Sequence, residues 1–348
     1  MKAVLLTSAI VLSVGCAARP ELSRTGRPEP LAPTLPALAE RLGDEIAVAG
    51  QLVHTGTRVV LWDEASAYDA YREELRFPDE AGDPKTMPKG PRHGMRKGLP
   101  EEAHAVIAEH GWSLAELRDQ VDQFVVHYDV CGTSRQCFKI LHDRRGLSVH
   151  FMLDVDGTIY QTLDLKERAW HGSKANDRSV GVEIAHIGAY PRQDHRVLVE
   201  WYERNEAARP EGKGPRVRFP KWMKETGIRS ADFVARPARP EPIQGVVQGQ
   251  ELYQFDFTDE QYEALAHLMA ALHQVFPKIR LDAPRELDAR VVDHVLDDAA
   301  FAAHQGVLGH FHVQKNKTDP GPAFDWERVL RRAREVAARG AARFDQRT

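Results

Sequence analysis

The sequence predicts an α/β fold: a mixed central β-sheet flanked by helices, interrupted by a long loop insertion. Three observations predict it. Short β-branched and aromatic runs at 59–62, 123–130, 149–161 and 179–188 have the length and composition of strands. Capping boxes at Ser113/Glu116 and Thr258/Gln261 open helices. Strands and helices also alternate along the chain instead of segregating, as in a sheet covered by helices.

The N-terminus is expected to be an export signal. Residues 1–15 carry Lys2, an apolar run from Ala3 to Val14 that is too short to span a bilayer, and then Gly15. Cys16 directly after Gly15 resembles the lipobox of bacterial lipoproteins, although Leu12 lies four residues before the cysteine and Ser13 takes the usual leucine place. That resemblance implies lipidation at Cys16 and a membrane anchor facing the periplasm. Ala17 implies onward sorting to an outer membrane. Residues 16–40 hold five prolines and little apolar periodicity, which suits a tether.

The segment 41–120 is expected as an N-terminal extension. It holds a strand from Val59 to Trp62, a Pro-, Gly- and Lys-rich loop at 78–100 and the helix opened by Ser113. The main domain is expected over 121–340. "QFVVHYDV" is a strand with His127 near its end, "SRQCFKILHDRR" a helix, and "LSVHFMLDVDGTIYQTLD" a hairpin turning at Asp-Gly. "SVGVEIAHIG" is a strand carrying Glu183. Residues 258–276 and 324–344 form amphipathic helices. Between about 190 and 250 no periodicity is visible, and the segment is expected as a solvated loop. From Arg209 to Arg239 it holds nine Lys or Arg against three acidic residues, which also suits a surface that meets an anionic polymer.

Composition narrows the function classes. With 348 residues and 42% hydrophobic content the chain can bury a full core. A net charge of −4 gives no call for a nucleic-acid partner. No run of about 20 apolar residues follows the N-terminus, so no spanning helix is expected in the exported chain, which should act as a monomer. Cys131 and Cys137 remain as an even pair once Cys16 is set aside, and in an oxidising compartment they are expected to form a disulfide.

The densest chemistry lies in "GHFHVQKNKTDPGPAFDW", residues 309–326. A hydrolytic zinc site needs three protein ligands and one open position, and histidines with a carboxylate are a usual set. Asp319 opens an Asp-Pro-Gly turn that can fix its carboxylate, and His310 lies nine residues earlier. His127 could converge on them from upstream, with His312 competing for the place of His310. No HExxH occurs, which excludes the helical zinc-protease arrangement. His142, His150, His186, His267 and His273 are expected as surface or core residues.

"VVHYD", "VHFMLDVDGTIYQ", "RAWHGS", "NDRSVGVEI" and the 309–326 segment resemble the successive motifs of zinc-dependent N-acetylmuramoyl-L-alanine amidases. These form the amidase-2 family, related to peptidoglycan recognition proteins and phage lysozyme-type amidases. The resemblance implies one zinc ion on His127, His310 and Asp319, a catalytic Glu183 and Lys317, and a substrate groove lined by Trp170 and His171. It implies hydrolysis of the amide between N-acetylmuramic acid and L-alanine in peptidoglycan or muropeptides. A short disulfide loop after the first histidine also occurs in peptidoglycan recognition proteins. Two rivals stand beside it. One is a non-catalytic muropeptide-binding protein. The other is a phosphatase of the DxDGT type, with Asp154 as nucleophile and magnesium as cofactor.

Overall fold

The structure, a computed structural model, describes residues 41–80, 88–205, 209–211 and 213–345, and side chains as far as residue 340. The expected signal peptide, Cys16 and the tether to residue 40 lie outside the described residues. The chain opens with strands β1 (Glu45–Val48), β2 (Gln51–His54) and β3 (Val59–Leu61), then helices α1 (Glu101–His110) and α2 (Leu114–Gln120). There follow β4 (Gln123–Tyr128), α3 (Ser134–Phe138), β5 (Phe151–Leu153), β6 (Ile159–Gln161) and β7 (Ser179–Ile184). Next come α4 (Arg196–Trp201), β8 (Tyr202–Glu203), β9 (Arg216–Val217), β10 (Ile243–Val247) and β11 (Gln250–Gln254). The last elements are α5 (Asp259–Val275), α6 (Asp298–Ala303), β12 (Gly306–Gly309), α7 (His310–Val313) and α8 (Trp326–Asp345).

Six strands form the central sheet in the order β12-β4-β7-β5-β6-β3. It is mixed, as the sequence predicts: β5 and β6 pair antiparallel as a hairpin, and the other neighbours run parallel. The hairpin turns at Gly157, whose φ of +80° suits glycine and where a Cβ would press on the backbone of Glu260.

Side chains alternate faces along a strand. One set, including Phe124, Val126, Phe151, Leu153, Val180, Val182 and Val307, packs against Leu265, Leu268, Met269 and Leu272 of α5 and Val329 and Leu330 of α8. Both predicted capping boxes form. Ser113 Oγ accepts the Glu116 N–H at 3.2 Å, and Thr258 Oγ1 accepts that of Gln261 at 3.0 Å. Gln261 reaches further, donating to the carbonyl of Ala185 at 2.8 Å and so tying the start of α5 to the end of β7.

Residues 41–120 join this body directly: β3 extends the central sheet beside β6, and Ile46 and Val48 of β1 enter the same core. Arg96 anchors the loop expected at 78–100. Its fully buried guanidinium donates to the carbonyls of Ser179 at 2.9 Å and Leu165 at 2.8 Å.

Two expectations are corrected. The helix over 134–145 forms, but its second half, Lys139–Arg144, is a π-helical turn. The insertion is not simply a loop. It contains α4, the β8–β9 pair and the β10–β11 hairpin, built on a cluster of Leu198, Trp201, Tyr202, Met223 and Phe255. Those residues are spread over more than fifty positions in very short elements, so no local period could reveal them.

Candidate active site

The site is built by register. β12, β4 and β7 run side by side in parallel, with Gly309 opposite Val126 and His127 opposite Glu183. His310, one residue past Gly309, therefore comes level with His127, and the carboxyl ends of three adjacent strands present His310, His127 and Glu183 in a row. Ligand sites of open α/β sheets favour this edge. Asp319 returns through the loop after α7. The Phe311 N–H donates to the Asp319 carbonyl at 3.1 Å, Thr318 Oγ1 hydrogen-bonds Tyr128 at 2.7 Å, and Gln254 of β11 donates to the Pro320 carbonyl at 3.0 Å.

Three donor atoms converge. His127 Nδ1 lies 3.0 Å from both His310 Nδ1 and Asp319 Oδ2, and His310 Nδ1 lies 2.9 Å from that same oxygen. A tetrahedral zinc ion spaces its ligands about 3.3 Å apart for bonds of ~2.0–2.1 Å, so this triangle fits one cation with a face left open. Hydrogen bonding alone does not explain the approach of two Nδ1 atoms to each other and to one oxygen, whereas a cation takes all three lone pairs at once. The His310 tautomer agrees. Its Nε2 donates to Gln314 Oε1 at 2.7 Å, which leaves the Nδ1 lone pair free.

His312 lies outside this triangle. It is fully buried, its Nδ1 accepts the Gly309 N–H at 2.9 Å, and its Nε2 donates to the Val292 carbonyl at 2.7 Å. Both nitrogens are occupied, away from the triad.

Electrostatics follow from burial. Desolvation, helped by the neighbouring His310, pushes the His127 pKa down to about 4 and keeps the ring neutral. Burial would raise Asp319, but the two imidazoles outweigh it and hold the carboxyl below the usual carboxylate range. Burial and the adjacent Asp319 push Glu183 well up, while Lys317 pulls it down. Glu183 Oε2 is buried without a hydrogen-bond partner among the described residues.

The triad opens into a cleft of about 460 Å³, lined also by Glu183, Lys317, Trp170 and Arg145. Trp170 is 42% exposed and stacks under the Arg168 guanidinium, 4.9 Å from the ring centre. His171, expected beside it in the groove, is instead fully buried. The backbone turns there, and the His171 N–H donates to Asn176 Oδ1 at 2.7 Å as the ring enters the protein.

The expected disulfide is likewise absent. Cys131 and Cys137 are free thiols, both on the cleft wall, with Cys137 buried and its pKa pushed well up by that burial and by Cys131 beside it. Asp154 is fully buried in the hairpin turn and accepts the Val155 and Ser134 N–H groups at 2.9 and 3.3 Å, a position closed to any phosphate ester.

Sequence reasoning missed Gln314, whose only signal is its spacing of four from His310. It also missed Asp129, which lines the cleft and is pushed up to about 7 by burial. The other histidines expected to be structural are partnered by backbone: His142 with Arg72, His186 with Phe255, His267 with Thr55 and His273 with Ile279.

Residues 117–213 match the family model Amidase_2, described as N-acetylmuramoyl-L-alanine amidase. The match holds His127, Trp170 and Glu183 and ends before His310 and Asp319. No curated protein matches the chain. Among solved structures, the N-acetylmuramyl-L-alanine amidase AmiD of E. coli, bound to anhydro-N-acetylmuramic acid-L-Ala-D-gamma-Glu-L-Lys, is 15% identical with a TM-score of 0.35. That alignment covers 61% of this chain and 57% of AmiD, so the chain spans little more than half of AmiD's length. A selenomethionine derivative of AmpD is 18% identical over 70% of this chain and 90% of its own, with a TM-score of 0.31. The endolysin amidase LysCS of Clostridium intestinale URNW is 14% identical over 63% and 86%, with a TM-score of 0.32. The part of the sheet that presents His127 and Glu183 thus lies within the segment whose sequence matches the N-acetylmuramoyl-L-alanine amidase family model.

Proposed function

We propose that the chain is a zinc-dependent amidase that cleaves the bond between N-acetylmuramic acid and L-alanine in peptidoglycan or muropeptides. The observation that carries this is the 2.9–3.0 Å triangle of His127, His310 and Asp319 with Glu183 beside it on the next strand. His127, His310 and Asp319 would hold a zinc ion, which would supply Lewis acidity towards a water and the scissile carbonyl.

The rest is the work of the chain's own side chains. Glu183 takes the proton of the attacking water and returns it to the leaving amine, the double role of a general base placed beside the metal ligands. Lys317, on the cleft wall with no ion-pair partner among the described residues, faces the negative charge that develops on the carbonyl oxygen. Trp170 offers an exposed ring to the substrate, and Arg145 and Arg168 give the cleft a cationic rim suited to the carboxylates of a stem peptide.

The test is digestion of purified peptidoglycan with and without a chelator, with released stem peptides identified by mass spectrometry. Stem peptides that begin at L-alanine, lost with chelator and restored by zinc, are the expected result. Full release by protein shown by elemental analysis to be free of zinc overturns the metal assignment.

The place of action is the periplasmic face of a membrane, with the chain exported by residues 1–15 and anchored through a lipid on Cys16. Among the described residues no helix is long and apolar enough to cross a membrane. Fatty-acid labelling of the wild type that disappears in Cys16→Ser is expected, and label retained by Cys16→Ser removes the anchor.

A further inference from the structure

Behind the triad, on the polar face of the sheet, lies a row of buried imidazoles whose protons can be assigned one after another. His150 and His171 are fully buried. His150 Nε2 lies 3.0 Å from the carbonyl oxygen of Glu167, which can only accept, so the proton sits on Nε2 and the lone pair on Nδ1. Arg96 approaches the same nitrogen only at 3.4 Å, and its Nη2 already donates to Leu165 at 2.8 Å, so it does not reverse that assignment. His150 Nδ1 is 2.7 Å from His171 Nε2, which must therefore donate, leaving the lone pair of His171 on Nδ1. That Nδ1 is buried with no hydrogen-bond partner among the described residues.

The other end of the row is His127. Its Nδ1 turns to His310 and Asp319, so in a metal-binding tautomer its proton is on Nε2, and that atom too is buried without a partner. A solitary acceptor and a solitary donor thus belong to rings whose centres are 5.5 Å apart and 32° from coplanar. The bonded pair His150–His171 has its centres at 4.9 Å. The His127–His171 pair is wider by only about 0.6 Å, a shift within the reach of side-chain adjustment. Gly181 makes the arrangement possible, because a Cβ there would overlap the His171 ring. A buried donor and a buried acceptor left unpaired are both destabilising, and one hydrogen bond between them satisfies both.

We propose that His171 is a positioning residue for the metal site: its Nδ1 accepts the Nε2 proton of His127. The chain from the Glu167 carbonyl through His150 and His171 then fixes the His127 ring with its Nδ1 lone pair aimed at the point shared by His310 and Asp319. The inference rests on the proposed metal site, and its test separates the two. Histidines that bind metals are held in one tautomer by such an acceptor, and losing it costs 10–100-fold in affinity.

The experiment is a zinc titration of the full, metal-stripped chain against a chromophoric chelator, comparing wild type, His171→Leu and His171→Asn. Leucine fills similar space without an acceptor, and asparagine places Oδ1 where Nδ1 stood. The expected result is zinc binding weakened 10–100-fold in His171→Leu and restored to within a few-fold of wild type in His171→Asn. Nitrogen-15 NMR of the wild type should show His171 protonated on Nε2 and His127 protonated on Nε2. Zinc affinity of His171→Leu equal to wild type, equal losses in both variants, or a His171 proton on Nδ1 each overturn the positioning role. A wild-type chain that binds no zinc overturns the metal site itself.

Discussion

The two faces of the central sheet differ most at its centre, although Val125, Leu308, Met152 and Tyr160 also pack in apolar clusters on the second face. Towards α5 and α8, every strand contributes side chains that are apolar and almost wholly buried. On the other face, β4 and β7 present His127 and Glu183 above Gln123 and Gly181, and buried polar atoms go unpartnered among the described residues: His127 Nε2, Glu183 Oε2, His171 Nδ1 and Gln123 Oε1. Each such atom costs ~1–3 kcal/mol, while each fully buried Leu or Phe opposite contributes ~1.5–3 kcal/mol. One face thus stabilises the strands so that the other can hold desolvated groups in register. Variants on the site face should therefore change chemistry, and variants on the apolar face should change stability.

The largest effect is expected at the triad. His127→Ala, His310→Ala and Asp319→Ala should each lose bound zinc, and hydrolysis should fall ~10³-fold or more, because the ion contributes several kcal/mol to the transition state. His312→Ala sharpens the contrast two residues away. It should keep zinc but lose about 2–4 kcal/mol of stability, since it removes a buried ring and strands the Gly309 N–H and Val292 carbonyl. Elemental analysis with urea unfolding checks both, and zinc lost from His312→Ala but kept by His310→Ala would reverse the assignment.

Glu183→Ala comes next. It should retain zinc and stay folded while kcat falls ~10²–10⁴-fold. Turnover near the wild-type rate would hand the base role to another group, with Asp129 a further carboxyl on the cleft wall.

Leu268→Ala, on the apolar face, should cost ~2–5 kcal/mol in urea unfolding yet leave kcat unchanged well below the melting temperature. A fall in kcat without loss of stability would show that the two faces are not independent.

Much of this contrast is legible in the sequence. His127 and Glu183 sit in strands whose β-branched runs announce themselves, and Asp-Pro-Gly marks Asp319 as a fixed carboxylate. The choice between His310 and His312 is not legible. "GHFH" offers both, and only the pairing of Gly309 with Val126 brings residue 310 level with 127 while turning 312 towards Val292. His171 misleads for a similar reason: its neighbour Trp170 is exposed, and nothing in "RAWHGS" says that the backbone turns one ring out and the next ring in. Arg96 lies in a Pro- and Gly-rich stretch that looks like surface, yet its partners at Leu165 and Ser179 are 69 and 83 residues away. Contacts of that range leave no local pattern.

The smallest effect on turnover is expected at Asp154, which lies on neither the apolar core nor the cleft wall. Burial pushes its pKa up from 3.8 to about 8, so the folded chain keeps a proton there that the unfolded chain releases. The sign follows from linkage. Between about pH 4 and pH 8 the folded state binds the extra proton, so this group's contribution to stability falls as pH rises and levels off above its folded pKa. Asp154→Asn removes that dependence. Compared with wild type, the variant should gain stability as pH is raised across this window, by at most ~1.4 kcal/mol per pH unit, and its kcat should not change. Because every other titrating group is shared, the difference between the two urea-unfolding curves isolates Asp154. Parallel pH profiles would mean that the carboxyl is ionised in the folded chain, and a folded but inactive Asp154→Asn would restore a chemical role to the DxDGT motif.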